Sequence, residues 1–363
     1  MKAWRIDATG EMRLDEVPMP EIKAGWVLIK VRMLQPSITE VDHLRGLRAG
    51  TAVKTKKLLE EKGPLQLLGH EFCGEVVEVG EGVGNVKPGD RVFYWRRAPC
   101  CQCALCRSGH EELCCKGGLM GLDIPGCLAE YTLLPGGSIA RLPDSISDSE
   151  ATTMQPLMGI TSTVSVTGIE MGDNIVILGQ GSMGLNVTQV SQFCGAGKII
   201  VVDVRDEALD FASRFGASLV INASKMDPVK AVLEATGGVG ADIVFECAGG
   251  NPQHGLAGTK TLSQAIEMVR DQGKITQVAI LDPKTAVEIA PINMRGLQYR
   301  GLGPCTEKLL QYTIELVAAK RVQLAPLVTH TLEGLDKVPE AFEITGNKAK
   351  YGAINPAQVI VSQ

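Results

Sequence analysis

A chain of 363 residues with 45% hydrophobic content is long enough for two domains with cores of their own. Its net charge of −5 leaves no basic footprint for nucleic acid, and no apolar run approaches the ~20 residues that span a bilayer. The opening MKAWRIDATGEMRLDE lacks the apolar stretch of a signal peptide, so the 11 cysteines read as metal thiolates or small core residues rather than a disulfide framework, and the expectation is a cytoplasmic protein with no membrane partner.

In chain order, short strands are expected at Met1–Ile6, Met12–Val17 and Trp26–Val31, and a charged helical turn or two at Thr55–Lys62. A glycine-punctuated β-rich run follows from Gly69, with turns at Gly80–Gly84 and Lys87–Asp90, then a cysteine-rich loop and a strand at Leu128–Leu134. The texture changes near Ala151, where residues 151–168 are small, apolar and helix-like. Strands and helices then alternate: Asn174–Leu178, a helix from Met183, Ile199–Asp203, a helix from Glu207, Leu219–Ile221, a helix from Pro228, Ile243–Cys247, a helix near Ser263–Arg270, and Ile275–Ala279. Such alternation means a doubly wound parallel sheet, an α/β fold. A helix at Glu307–Ala319 and β-like segments at Leu327–Leu332 and Val359–Val361 return to the first domain. The domain expectation is 1–155, 156–300 and a return segment, 301–363.

The run Gly179-Gln180-Gly181-Ser182-Met183-Gly184 lies between a strand and a helix. Gly179 makes the tight turn, Gly181 lets backbone approach a pyrophosphate, and Gly184 lets the helix pack closely on the strand. With Ser182 and Met183 opening the helix, free N–H groups face the phosphates. Asp203, ending the next strand, suits the ribose hydroxyls and repels a 2′-phosphate, which favours NAD over NADP. Arg205 either softens that preference or is a solvated residue beside Asp206.

Cys100, Cys103, Cys106 and Cys114 put four thiolates on one loop. Four sulfurs satisfy a tetrahedral zinc and leave no open position, so the site is structural. Cys101 and Cys115 stand outside the spacing; Cys73, Cys127, Cys194, Cys247 and Cys305 read as small core residues.

These features resemble the medium-chain dehydrogenase/reductase superfamily, in its zinc alcohol, polyol and threonine dehydrogenase branch. The resemblance covers almost the whole chain and is most specific at Gly69-His70-Glu71, Gly74, Gly80 and Val83; the cysteine lobe, the glycine loop and Val244–Gly249 follow in the family's order. It implies a GroES-like β domain interrupted by a Rossmann domain, an active site in the cleft between them, and hydride transfer between NAD and a secondary alcohol or its ketone. A homodimer or homotetramer is expected.

The departures concern the catalytic metal. The family's G-[IV]-C-G-[ST]-D-x-H segment is matched by Gln35-Pro36-Ser37-Ile38-Thr39-Glu40-Val41-Asp42. Ser37 stands where a cysteine ligand belongs, Asp42 where a relay histidine often is, Thr39 matches the relay hydroxyl, and Gln155 replaces a cysteine or acid. The candidate ligands of a catalytic zinc are thus Ser37, His70, Glu71 and Gln155, of which the neutral oxygens are weak donors compared with thiolate. Without zinc, His70 and Glu71 become a proton-transfer pair or a remnant, and Thr39, Asp42 and Glu40 become candidates for moving the proton. Asp42 and Glu40 suit a helix N-terminal cap and first-turn acid equally well, and His43 is expected at the surface.

Trp95 and Arg96, with Arg97, follow a strand where the family lines its substrate pocket. With Arg45, Arg48, Lys54, Lys56 and Lys57 they point to an anionic substrate, a hydroxy acid or acyl thioester, or else are solvated charges balanced by Glu60 and Glu61. Two other readings compete: a zinc-independent reductase of an activated double bond, and a non-catalytic NAD-binding protein.

Overall fold

The computed structural model describes residues 1–46, 49–250, 257–281 and 286–362, with no side chains given for 49–54. Arg48 lies outside the described residues, as does the side chain of Lys54. The chain divides into two compact units, Met1–Met158 with Cys305–Gln363, and Gly159–Pro304.

In the second unit the three central strands are near-continuous apolar runs, as a sheet buried on both faces requires. Ile175–Leu178, Ile199–Val202 and Ile243–Phe245 are all buried, each such side chain contributing about 1.5–3 kcal/mol on leaving water. Six strands lie in the order Leu219–Asn222, Lys198–Asp203, Asn174–Leu178, Ala241–Glu246, Val269–Gln277 and Gln298–Arg300, every pair parallel. The chain winds outward from Asn174–Leu178 to one edge, then returns to build the other side. The carboxyl ends of Asn174–Leu178 and Ala241–Glu246 therefore flank the topological switch point, where such sheets bind ligands.

One element differs from expectation. The helix is Lys260–Met268, and Val269–Gln277 is strand, whereas the sequence pattern extends the helix to Arg270. Arg270 ion-pairs Asp242 at 2.6 Å and Val269 pairs with Ala241, so the neighbouring strand draws these residues into the sheet. Gln272, at φ +60, turns the backbone where the register shifts.

The first unit is mostly antiparallel. The long strand Trp26–Gln35 pairs with Glu71–Val79, Tyr131–Pro135 and Gln358–Ile360. Arg91–Tyr94 and Ile139–Arg141 extend the sheet on one side, and Thr331–Glu333 runs parallel to Gln358–Ile360 on the other. Of the β-like segment expected at Leu327–Leu332, Thr331 and Leu332 pair in the sheet, while Leu327 closes a single turn at Ala325–Leu327. Val27, Ile29, Val31, Phe72, Val76, Val92, Leu134 and Val359 meet in one core. Cys73 and Cys127 are fully buried, while Cys194, Cys247 and Cys305 are partly exposed. Among the described residues no helix is long and apolar enough to cross a membrane.

Candidate active site and metal centre

The strand Glu71–Val79 begins directly after Gly69-His70. Gly69 has φ +83, and a Cβ there would lie 2.7 Å from the Cys127 sulfur, so only glycine delivers His70 into this position. Opposite it stands the helix Ile38–Leu44, begun by a capping box in which Ser37 Oγ accepts from the Glu40 N–H and Glu40 reaches back to the Ser37 N–H. Glu40 Oε2 accepts from Ser37 N at 2.9 Å, and Oε1 from Gly69 N at 2.7 Å, with His70 Nδ1 at 2.6 Å from the same oxygen. Burial alone would raise Glu40, but the charge and hydrogen bond of His70 and the Ser37 and Gly69 N–H groups outweigh it and hold the carboxyl below its usual range. An ionised Glu40 assigns the His70 proton to Nδ1 and turns Nε2 toward Glu71 Oε1, 3.9 Å away.

Glu71 is 5% exposed. Burial pushes its carboxyl up to about 7, against the pull of His70 and the Gln35 hydrogen bond. Behind it runs a chain of buried amides. Gln35 Nε2 donates to Glu71 Oε2 at 2.5 Å, Gln358 Nε2 donates to Gln35 Oε1 at 3.2 Å, and Ser149 Oγ donates to Gln358 Oε1 at 2.7 Å. Gln35 and Gln358 are both 0% exposed. Gln35 heads the segment aligned with the family motif, at a position the motif gives to glycine, and Gln358 falls in no motif.

Thr39 Oγ1 lies 2.7 Å from Ser37 Oγ. The carboxylate against His70 is Glu40; Asp42 follows on the same helix. His43, expected at the surface, is 9% exposed, because it shares the inner face of the helix with Glu40 three residues earlier. Gln155 is half-buried near the start of the helix Met154–Thr167.

The cysteine loop closes on itself. Sγ–Sγ distances are 3.4 Å for Cys103–Cys106 and 3.9 Å for both Cys100–Cys106 and Cys103–Cys114, and all four ligand atoms lie within 4.8 Å of one another. Sulfurs about 2.3 Å from one tetrahedral zinc stand about 3.8 Å apart, so the set fits. Backbone N–H groups of Cys100 and Cys103 point at the sulfurs of Cys114 and Cys100, each at 3.3 Å. The first of these bonds leads the forces that draw the Cys114 thiol down to about 6. Cys101 and Cys115 are exposed.

In the second unit Gly179 takes φ +89, and a Cβ on it would meet Ala248 at 2.8 Å. A Cβ on Gly184 would sit 1.8 Å from Gly179 O, whereas Gly181 has open space above it. That opening lies at the N-terminus of the helix Ser182–Ser191, where Ser182 and Met183 present N–H groups to an anion. The cradle fits a pyrophosphate. Asp203 braces it: Oδ2 accepts from Gln180 N at 2.6 Å, and Oδ1 from Val204 N at 2.8 Å and Arg205 N at 2.9 Å. The Arg205 Nε lies 3.7 Å from the same carboxylate. Glu246, fully buried, fastens the next turn through Ala248 N at 2.9 Å and Gly249 N at 2.6 Å.

Trp95 and Arg96 face a cavity of about 760 Å³ lined also by Arg141, Glu307, Leu310 and Ile314. The Arg96 guanidinium stacks 4.4 Å over Trp95, and its donors go to Gly137 O at 3.1 Å and Glu111 at 3.4 Å. Arg97 is held by Gly117 O and Asp123, and Arg45 reaches Gly346 O.

Residues 23–144 match the family model for the alcohol dehydrogenase GroES-like domain, and residues 182–319 that for zinc-binding dehydrogenases. The chain is 32% identical to L-threonine 3-dehydrogenase of Pyrococcus horikoshii, over 91% of each chain. It superposes on an oxidoreductase/dehydrogenase of unknown specificity from Escherichia coli with a TM-score of 0.86, at 29% identity and covering 100% of this chain and 99% of that one. A Sinorhizobium meliloti structure solved with NADP bound gives a TM-score of 0.84 at 26% identity, covering 99% and 98% of the two chains.

Proposed function

The chain belongs to the zinc-binding dehydrogenases with a GroES-like domain, a medium-chain α/β oxidoreductase acting on CH–OH donors, and from this premise we propose that it oxidises a small secondary alcohol with NAD. The observation that carries the reading is the glycine cradle at Gly179–Gly184 braced by Asp203. NAD held in that cradle would supply the acceptor for the hydride of the carbinol carbon. Gly179, Gly181 and Gly184 would admit its pyrophosphate, and Asp203 Oδ2, with one lone pair taken by the Gln180 N–H, keeps the other for a ribose hydroxyl. Arg205 flanks that carboxylate and tunes the preference against a 2′-phosphate.

Thr39 and His70 handle the hydroxyl proton, with Glu40 setting the imidazole's tautomer and Glu71 facing Nε2. Asp42 lies on the same helix and is a further candidate for the proton's onward path. The four lobe cysteines hold a structural zinc. The substrate is of the polyol, hydroxy-acid or hydroxyacyl type; Lys56 and Lys57, exposed on the helix Ala49–Lys62, favour an anionic one. Trp95 and Arg96 border its approach. We place the enzyme in the cytoplasm as a homodimer or homotetramer. The edge strand Gln298–Arg300, its outer side unpaired among the described residues, with Met294 83% exposed, Ile289 74% and Leu302 55%, supports assembly through the second unit.

The test is NADH formation across L-threonine, polyols and hydroxy acids, with NAD and NADP titrated by nicotinamide fluorescence. Asp203→Ala is expected to narrow the NAD preference by ~10-fold or more, since a carboxylate facing a phosphate costs at least ~1.4 kcal/mol. Equal affinity of the unaltered protein for both cofactors would overturn the role given to Asp203.

A further inference from the structure

The His70 position is short of metal donors, and the shortage is built into the fold. Catalytic zinc sites use three protein ligands drawn from thiolate, imidazole and carboxylate. The four positions that align with the family's ligands supply one imidazole, one carboxylate and two neutral oxygens, at Ser37 and Gln155. The Ser37 hydroxyl is committed elsewhere: it accepts the Glu40 N–H at 3.3 Å and bonds the Thr39 hydroxyl at 2.7 Å, the cap on which the helix Ile38–Leu44 begins. One oxygen of Glu71 is taken by Gln35, whose orientation is fixed in turn by Gln358 and Ser149. His70 Nε2 and the other Glu71 oxygen, 3.9 Å apart, then supply two ligand atoms at most. Among the described residues, the cysteine lobe is where three or more His, Cys, Asp or Glu ligand atoms converge. The residues around His70 do not fit a catalytic zinc.

We propose that this dehydrogenase holds one zinc per chain, in the cysteine lobe, and that side chains replace the second metal around His70. The substrate oxygen is then bound by hydrogen bonds from neutral donors, the Thr39 hydroxyl first among them, rather than by a Lewis acid. This rests on reading the His70 position as the alcohol site. The count of bound metal nevertheless stands or falls whether or not any alcohol is oxidised.

The full-length protein, incubated with excess zinc and desalted, is expected to carry one zinc by elemental analysis. The double variant Ser37→Cys with Gln155→Glu, which restores a thiolate and a second carboxylate, is expected to carry two. Loaded with cobalt instead, it should gain visible bands of a further tetrahedral thiolate site beyond those of the lobe. Two tightly held zinc ions in the unaltered protein would overturn the proposal. So would a folded double variant, verified by circular dichroism, that stays at one zinc, because the missing donors would then not be the cause.

Discussion

The first unit contains two gatherings of metal-ligand side chains, and they are built on opposite terms. In the cysteine loop four thiols converge with only backbone N–H groups for company, and nothing but a cation can satisfy them together. Around His70 the polar groups satisfy one another: Ser37 caps a helix, Glu40 takes three donors, and Glu71 is served by Gln35. The difference teaches that ligand-type residues mark a metal only where the protein leaves them unsatisfied. Side chains committed to one another leave too few ligand atoms for an ion to bind.

The largest effect should come from breaking the lobe. Cys103→Ala should lose the bound zinc and destabilise the first unit by about 3 kcal/mol or more. At about 2–4 °C per kcal/mol for a unit of this size, melting falls by roughly 6–12 °C; scanning calorimetry with metal analysis reads both. Breaking the other cluster should spare the zinc and damage turnover instead. Glu40→Gln removes the carboxylate that orients His70, and kcat/KM should fall ~10–100-fold, as when the partner of a functional histidine is lost. Zinc content should be unchanged; a variant that loses metal would erase the contrast between the two sites.

A subtler test uses pH. Glu71 has a folded value near 7 against an ordinary 4.5, so between those values the folded state binds the extra proton. Stability contributed by Glu71 is therefore present at low pH and is lost as pH rises from about 4.5 through 7. Glu71→Gln should flatten that slope in urea midpoints measured from pH 5 to 8, and an unaltered slope would refute the raised value. The smallest effect should come from the lobe's exposed neighbours. Cys101→Ser and Cys115→Ser should keep the zinc and shift stability by no more than ~0.5 kcal/mol.

The parts legible in the sequence were the ones with local causes. Gly179, Gly181 and Gly184 answer to contacts within one turn of chain, and Cys100, Cys103, Cys106 and Cys114 to a single loop. Glu40 was legible as a first-turn acid but not as the partner of His70, because that bond depends on how a helix lies against a strand. Nothing in the sequence signalled that Gln35 and Gln358 meet, since each looks like an ordinary strand glutamine until the sheet brings them together. Arg270 shows the same limit from the other side: its helical pattern yields to an ion pair with Asp242 on a neighbouring strand.

The bond between Gln35 and Gln358 joins residues 323 positions apart, and this gives the molecule a timetable. At about 5–20 residues per second of synthesis, Gln35 leaves the ribosome roughly 16–65 seconds before its partner exists. Gly159–Pro304, one continuous stretch, is complete roughly 3–11 seconds before Gln358 is made and can form its own sheet then, while the strand Trp26–Gln35 waits for Gln358–Ile360 to dock. The nucleotide cradle is thus complete before the last amide behind the His70 cluster exists, so a nascent chain can hold a dinucleotide seconds before the network around Glu71 is closed.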